Sequence, residues 1–133
     1  ELNAALEQAR ALALRQGATA TLVLPADLPH LCADDLAQLV QHANAAPSMV
    51  IAPSRDGGTN ALLLRPPRLI PFAFGVDSFA QHLTLARRAG ISPVIVNTPT
   101  LAFDLDSPSD LEELLMERGF DGWGGFPRIK YPS

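Results

Sequence analysis

The sequence predicts an α/β sandwich built on a largely parallel sheet, and three observations lead to this fold class. Short apolar runs rich in β-forming residues alternate along the chain with longer segments of helical spacing. The runs are apolar throughout, which is typical of strands buried on both faces. Capping residues and glycines separate the segments. In such sheets ligands bind beyond the carboxyl ends of the strands, so we look for functional residues there.

The first part of the chain predicts a helix, a strand and a second helix. Apolar residues recur every three or four positions over residues 2–16, and Gly17 suits a left-handed cap. Residues 19–24 form a short apolar run that predicts a strand. A helix is predicted over residues 33–45, because aspartates in its first turn favour the positive end of the helix dipole.

The rest of the chain predicts short strands and two capped helices. Strands are predicted at residues 49–52, 61–64, 93–96 and 101–106. Asp77 or Ser78 can cap a helix that runs to residue 90. Ser107 is the predicted cap of the last helix, because Pro108 stands at its first position and Asp110 follows three residues after the cap. Residues 119–133 predict an irregular tail.

Composition and charge narrow the possible partners. The chain has 14 acidic and 10 basic residues and a net charge of -4, without the basic face that duplex binding requires. Its single cysteine, Cys32, cannot form an internal disulfide, which fits a reducing cytoplasmic compartment. No apolar run approaches the roughly 18 residues that a membrane span needs. We therefore expect a cytoplasmic protein without nucleic-acid or membrane partners, with a homodimer left open.

Three carboxylates follow predicted strands and are the candidate metal ligands. Asp27 lies between two prolines directly after a strand, where its oxygens could bind Mg²⁺ or could instead satisfy backbone groups of a turn. Asp104 and Asp106 lie two residues apart, so in an extended segment they face the same side. Two like charges at close range favour a bound cation. The alternative is that Asp106 belongs to the turn before the next helix.

The segment 54–60 (SRDGGTN) is a candidate anion-binding loop. Gly57 and Gly58 let the backbone approach a ligand closely and present N–H groups to an anion. Arg55, Thr59 and Asn60 add polar donors. A Gly-Gly pair between two strands also suits a simple hairpin turn, and this alternative stays open.

The segment 74–78 (FGVDS) opens a helix and is a second candidate site for an anion. Free N–H groups and the dipole at a helix start bind phosphates and carboxylates, and Ser78 could add a hydroxyl. The alternative is an ordinary helix cap. His82 lies one turn further on the same face, where a structural role is more common than a catalytic one.

Five segments together resemble the 2-phospho-L-lactate guanylyltransferase family, whose bacterial members are described as phosphoenolpyruvate guanylyltransferases. The segments are, in chain order, 2–6 (LNAAL), 25–29 (PADLP), 52–61 (APSRDGGTNA), 74–78 (FGVDS) and 104–108 (DLDSP). The resemblance covers residues 1–118. It implies that these residues are the carboxy-terminal part of a single guanylyltransferase domain, and that an amino-terminal segment with the first strand and a triphosphate-binding loop precedes it in the family.

The resemblance also implies a fold, a reaction and a set of site residues. The fold is a three-layer, Rossmann-like sandwich of the nucleotide-diphospho-sugar transferase type. The reaction transfers GMP from GTP to the phosphate of phosphoenolpyruvate or 2-phospho-L-lactate in coenzyme F-420 biosynthesis. Asp27, Asp104 and Asp106 correspond to the positions that hold Mg²⁺. The positions that bind the acceptor correspond to Thr59, Gly75 and Ser78, to which the local argument adds Gly58, Asn60 and Arg55; Asn3 is assigned to the nucleotide.

Two kinds of alternative function stay open. The first is a nucleotidyltransferase of the same fold with another acceptor, such as 3-phosphoglycerate, a sugar phosphate or a molybdopterin. The second is a non-catalytic piece that binds anions. The guanylyltransferase reaction needs no general base, because a phosphate monoester is already largely anionic near neutral pH and requires charge neutralisation and alignment instead. The change Asp106→Asn is expected to reduce turnover far more than fold stability.

Overall fold

The structure is a computed structural model that describes residues 1–105 and 107–117. Asp106 and the predicted tail over residues 119–133 lie outside the described residues. Nine elements follow one another: α1 (Leu2–Arg15), β1 (Thr21–Val23), α2 (Ala33–Gln41), β2 (Ser48–Pro53), β3 (Thr59–Arg65), α3 (Ser78–Arg88), β4 (Val94–Ile95), α4 (Pro99–Ala102) and α5 (Pro108–Glu117).

The described strands form one mixed sheet with the order β1-β3-β2-β4. Strand β3 runs antiparallel to both of its neighbours, whereas β2 and β4 are parallel. Consequently β1, β2 and β4 run in the same direction, and β3 is reversed between β1 and β2. The described sheet is therefore mixed and not largely parallel as predicted, because the tight turn after β2 returns the chain as an antiparallel neighbour. The register of β2 with β3 shifts between Ala52 and Pro53, where the two strands approach the glycine-containing turn that joins them.

Helices cover both faces of the sheet, which confirms the predicted three-layer α/β sandwich. One buried cluster includes Val50 and Leu63 from the strands and packs against Leu39 of α2 and Leu101 of α4. On the opposite face, a second cluster includes Ile51 and Leu62 with residues of α1 and α3. Residues 50 and 51 point to opposite faces because side chains alternate along a strand, and both are fully buried.

The predicted helix boundaries agree closely with the structure at three places. Gly17 has φ 87, as expected for a left-handed residue after α1. The α5 start forms the predicted reciprocal cap, since the Ser107 N–H donates to Asp110 Oδ2 at 3.0 Å and the Asp110 N–H donates to Ser107 Oγ at 3.3 Å. Asp77 stands at the N-cap of α3, but its side chain makes no capping hydrogen bond.

The predicted strand over residues 101–106 is wrong. Residues 99–102 form the short helix α4, in which Thr98 Oγ1 accepts the Leu101 N–H at 3.3 Å and Pro99 occupies the first turn. Residues 101, 103 and 105 are apolar without forming a strand. Leu101 is buried as part of the helical turn, and Phe103 is buried as part of the segment that follows it. Within the described residues no helix is long and apolar enough to span a membrane.

Candidate active site

The turn after β1 and the segment after α4 are joined at the backbone. The Leu105 N–H donates to the carbonyl oxygen of Asp27 at 3.0 Å. Leu28 is buried in the first apolar cluster, which fixes the turn against the sheet. Asp27 Oδ1 is itself buried and has no hydrogen-bond partner among the described residues. The structure therefore brings Asp27 close in space to the segment that contains Asp104.

Asp104 lies in a segment whose position is set by β3. Asn60 of β3 is buried, and its Nδ2 donates to the carbonyl oxygen of Leu101 at 2.8 Å. This bond holds α4 against β3. Asp104 lies two residues after the last residue of α4, and 9% of its surface is exposed. Within residues 1–105 and 107–117, no group of three His, Cys, Asp or Glu side chains could hold a metal ion. The predicted third ligand, Asp106, lies outside this range, so the three-carboxylate site stays a prediction.

The residues 54–58 form a tight turn between β2 and β3, which we call the glycine loop. The Ser54 N–H donates to the Gly58 carbonyl at 2.9 Å, and Ser54 Oγ accepts the Gly58 N–H at 2.8 Å. Gly57 adopts φ 88, a left-handed conformation that glycine accommodates without strain. Hydrogen bonds from the Ser54 hydroxyl and the Gly58 N–H hold the pKa of Asp56 below its usual value, against the opposing effect of burial. The alternative that the Gly-Gly pair forms a turn is thus confirmed. The N–H groups of Gly57 and Gly58, which were predicted to face an anion, donate to Ser54 and Asp56 within the turn.

The glycine loop packs directly against the start of α3. The Phe79 N–H donates to the Gly57 carbonyl at 3.2 Å, and Thr59 Oγ1 lies 2.9 Å from Ser78 Oγ. Thr59 and Ser78 are buried, whereas Gly75, with φ 132, lies in the exposed approach to the helix. Residues from the two predicted anion-binding segments are therefore neighbours. Contact between these residues and an acceptor stays a prediction.

His82 is the residue of this region whose position the sequence does not reveal. It is fully buried; its Nδ1 lies 3.0 Å from Thr59 Oγ1, and its Nε2 accepts the Ala73 N–H at 3.0 Å. Burial lowers the pKa of His82 to about 4, with a smaller opposing effect from a hydrogen bond to the Ser78 carbonyl. The ring is neutral at physiological pH. The sequence shows only that His82 lies one helical turn after Ser78, and nothing else in it indicates the contacts of the ring with Thr59 and Ala73.

Arg55 and Asn3 have protein partners in the structure. Arg55 lies 4.5 Å from the centroid of the Phe103 ring, and its Nη2 contacts Asp110 Oδ1 of α5 at 3.3 Å. Both polar atoms of the Asn3 amide bond to the backbone of Phe74, with Nδ2 to the carbonyl at 3.0 Å and Oδ1 from the N–H at 2.8 Å. Asn3 therefore holds the segment before Gly75. The predicted ligand contacts of both residues stay predictions.

A cleft of about 400 Å³ opens between α4, α5 and the side chains of His30 and Arg55. Its walls include Arg55 and the ring of Phe103, which also packs against His30 with 5.0 Å between ring centroids. His30 Nε2 lies 3.0 Å from Glu117 Oε2. Acidic side chains of α5 thus contact both Arg55 and His30 in this cleft.

The sequence as a whole matches a family model described as "Guanylyl transferase CofC like" over residues 1–122. The chain is 52% identical over 114 residues to the phosphoenolpyruvate guanylyltransferase of Rubrobacter xylanophilus, covering 85% of this chain and 56% of the relative. It is 36% identical over 115 residues to the 3-phospho-D-glycerate guanylyltransferase of Colwellia psychrerythraea, covering 86% of this chain and 55% of the relative. The chain therefore spans about half the length of these curated relatives.

A solved structure supports the fold independently. A protein from Desulfovibrio desulfuricans G20 described as a nucleotide-diphospho-sugar transferase superposes with a TM-score of 0.70, at 19% sequence identity. The similarity covers 89% of this chain and 52% of the other chain. At this level of identity the likeness establishes the nucleotide-diphospho-sugar transferase type of fold, as expected from the sequence.

Proposed function

This chain belongs to the family of CofC-like guanylyl transferases, and we propose that it is the acceptor-binding and metal-binding part of an enzyme that transfers GMP from GTP to a phosphorylated three-carbon acid. The observation that carries this proposal is the family match over residues 1–122, together with relatives up to 52% identical that are named for this reaction. The contact between Thr59 and Ser78 supports it, since it brings together two residues predicted to bind the acceptor.

Phosphoenolpyruvate is the acceptor that we favour. Relatives at 52% and 44% identity carry the name phosphoenolpyruvate guanylyltransferase, whereas the relative named for 3-phospho-D-glycerate is 36% identical. These acids and 2-phospho-L-lactate share a phosphate and a carboxylate. Phosphoenolpyruvate and 2-phospho-L-lactate differ in a carbon–carbon double bond, whereas 3-phospho-D-glycerate carries its phosphate one carbon further from the carboxylate and has a hydroxyl on the carbon between. Discrimination at this level depends on the shape of the pocket around one or two carbon atoms.

Residues Asp27, Asp104 and Asp106 are the ligands that we propose for Mg²⁺. The buried and unpartnered Oδ1 of Asp27 supports this assignment, because an isolated buried carboxylate oxygen is costly unless a cation or a donor meets it. When bound, Mg²⁺ would neutralise charge on the phosphate groups. Burial of Asp104 beside the Asp27 segment fits the same reading.

The remaining residues would act by binding and alignment. An oxygen of the acceptor phosphate would attack the α-phosphorus of GTP, and the bond from that phosphorus to the departing pyrophosphate would break. The acceptor phosphate is already anionic, so no side chain has to remove a proton. The exposed backbone around Gly75 would hold the acceptor, while Thr59 and Ser78 join this segment to the end of the glycine loop. We propose that the product enters coenzyme F-420 biosynthesis in the cytoplasm.

The first experiment measures pyrophosphate release with GTP, Mg²⁺ and each of the three acids in turn. The chain is assayed beside a version that is extended at its amino terminus by the segment that the resemblance implies. Release that depends on one acid would establish the reaction and its acceptor. Activity of the extended version alone would show that this chain is one part of the catalytic domain. Silence from both with every acid would contradict the proposed function.

A further inference from the structure

A chain of buried polar groups connects the glycine loop to both ends of the segment 73–78. Thr59 Oγ1 lies 2.9 Å from Ser78 Oγ and 3.0 Å from His82 Nδ1. On its other side, His82 Nε2 accepts the Ala73 N–H at 3.0 Å. Thr59, Ser78 and His82 are at most 8% exposed. The His82 ring therefore contacts Ala73 directly and Ser78 through Thr59. These two residues lie on either side of the exposed turn at Gly75.

The partners of His82 determine which ring nitrogen carries the proton. A backbone N–H can only donate, so Nε2, which receives the Ala73 N–H, must be unprotonated. A neutral imidazole has one N–H, and it must then be on Nδ1. The Nδ1–H consequently faces two acceptors, Thr59 Oγ1 at 3.0 Å and the Ser78 carbonyl. The structure defines this tautomer without any choice between equivalent arrangements.

The Thr59 hydroxyl can bond to His82 and Ser78 at the same time. A hydroxyl oxygen has two acceptor lone pairs and one hydrogen, so Thr59 Oγ1 can accept from His82 and either donate to Ser78 Oγ or accept from it across 2.9 Å. In both arrangements Thr59 joins the ring to the start of α3.

We infer that His82 is a positioning residue, which holds the glycine loop and the start of α3 in register through the directed contact from its Nδ1 to Thr59. The ring is further fixed by Phe74, whose centroid lies 4.9 Å away in an edge-on arrangement, and Asn3 holds Phe74 through its backbone. An apolar residue of similar size would fill the space but would leave the Ala73 N–H and Thr59 Oγ1 without this partner. The role in acceptor binding rests on the proposed function.

Two conservative substitutions separate the two contacts of the ring. In His82→Asn the amide nitrogen can take the place of Nδ1 and donate to Thr59, while the acceptor for Ala73 is lost. In His82→Gln the amide oxygen can reach the place of Nε2 and accept from Ala73, while the donor to Thr59 is lost. Both variants remove one buried hydrogen bond, so a purely structural role of His82 predicts similar losses in the two.

The measurements are made by NMR on the full chain. Nitrogen chemical shifts of the wild-type ring should show a protonated Nδ1 and an unprotonated Nε2. Amide exchange at Phe79, whose N–H donates to Gly57, should be about 10-fold faster in His82→Gln than in His82→Asn. The dissociation constant for phosphoenolpyruvate should rise about 5- to 10-fold in His82→Gln and stay within about 2-fold of wild type in His82→Asn.

Three results would overturn the inference: protonation of Nε2, equal Phe79 exchange in the two variants, or unchanged acceptor affinity in His82→Gln. A destabilised control, Arg65→Met at the opposite end of β3 from Thr59, loses the hydrogen bond to the Ala43 carbonyl and should leave acceptor affinity unchanged. If the wild-type chain bound none of the three acids, the proposed acceptor class would be wrong, and the tautomer and the Phe79 exchange would still decide whether His82 positions the loop.

Discussion

The backbone N–H of Leu105 donates to the carbonyl oxygen of Asp27 at 3.0 Å and so joins the turn after β1 to the segment after α4. Asp104 directly precedes Leu105 and is buried, and Asp27 presents a buried, unpartnered Oδ1. The Asp104 side chain and one carboxylate oxygen of Asp27 thus lie on neighbouring segments and are shielded from water. Because like charges in such surroundings are unfavourable, a cation between these segments would stabilise both.

Replacing Asp27 by asparagine separates the predicted metal function from folding. The change Asp27→Asn keeps the shape of the side chain and removes its negative charge. We expect turnover to fall by at least about 100-fold, because a neutral amide is a poor ligand for Mg²⁺. The free energy of unfolding should stay the same or rise by about 1 kcal/mol, since a buried oxygen without a partner no longer carries charge.

The assay for Asp27→Asn is initial-rate pyrophosphate release beside urea unfolding. Asp34→Asn, at an exposed position in the first turn of α2, is the matched control and should leave turnover unchanged. Wild-type turnover in Asp27→Asn would remove Asp27 from the metal site.

Gly58 is the position of the glycine loop that tolerates a side chain least. A Cβ at this position would lie 2.8 Å from Ser54 Oγ, which itself accepts the Gly58 N–H. We expect Gly58→Ala to lower the free energy of unfolding by about 1–3 kcal/mol, because the loop must shift and the hydrogen bond weakens. Thermal unfolding and acceptor affinity would both report the shift.

A double-mutant cycle shows whether the Ser54 hydroxyl causes this effect. In a Ser54→Ala background the obstructing oxygen is gone, so Gly58→Ala should cost less there by about 1 kcal/mol. The Cβ of residue 54 is 3.8 Å away and presents no obstacle. If Gly58→Ala lowers the free energy of unfolding equally in the two backgrounds, the contact with Ser54 Oγ does not explain why residue 58 is glycine.

The carboxylate of Asp35 connects α2 to α4, and this connection predicts a pH-dependent stability. Thr100 Oγ1 donates to Asp35 Oδ1 at 2.7 Å, and the Cys32 N–H donates to Oδ2 at 3.0 Å. Burial alone would raise the pKa of Asp35, but the hydrogen bonds from Thr100 and Cys32 outweigh it and hold the pKa below the ordinary value of 3.8. A lowered carboxyl pKa gives stability that is present above pH 3.8 and is lost as the pH falls through the folded value.

Removing the Thr100 hydroxyl tests this linkage. The change Thr100→Val should lower the free energy of unfolding at pH 7 by about 1–2 kcal/mol, and the difference from wild type should shrink at pH values at which Asp35 is protonated. Thr84→Val in α3 is the control, because that hydroxyl donates only to the Ala80 carbonyl of its own helix. A difference from wild type that does not change with pH would exclude Asp35 as the responsible group.

The fold could be predicted from the sequence because its core strands are apolar on both faces. Strands β2 and β3 are predicted within two residues of their observed ends, since five consecutive residues of β3 after Thr59 are buried. The sequence indicated the antiparallel direction of β3 only through the alternative interpretation that the Gly-Gly pair forms a hairpin turn. The predicted strand at 101–106 was wrong because a period of two also arises when a short helix is followed by an extended segment.

The candidate site could be predicted only as a set of separate segments. Local patterns mark Asp27 and the glycine loop as sites of interest, since prolines and glycines restrict or free the backbone there. The partners of buried polar residues depend on distant segments. Arg10, for example, donates from Nη1 to the carbonyls of Pro67 and Ile70 at 3.0 and 2.8 Å, and nothing in the helical pattern around it indicates this. The same limit applies to Asn60 and His82.

The buried ring of His82 makes a final prediction about stability at mildly acidic pH. Burial lowers its pKa in the folded protein to about 4 from the ordinary value of 6.5. Between these values the unfolded chain binds a proton that the folded protein does not, so the free energy of unfolding rises with pH across this window. As the pH falls from 6.5 to about 4, His82 should account for a loss on the order of 3 kcal/mol.

Urea unfolding from pH 4 to 7 tests this dependence by comparing wild type with His82→Gln. The variant is expected to be less stable at pH 7, because the donor to Thr59 is lost, and to lose less stability on acidification, because it carries no titrating ring. The two curves should therefore converge as the pH falls. His42→Gln, at an exposed position after α2, should run parallel to wild type. Parallel curves for His82→Gln would mean that folding does not lower the pKa of His82, and the predicted loss of stability would then be wrong.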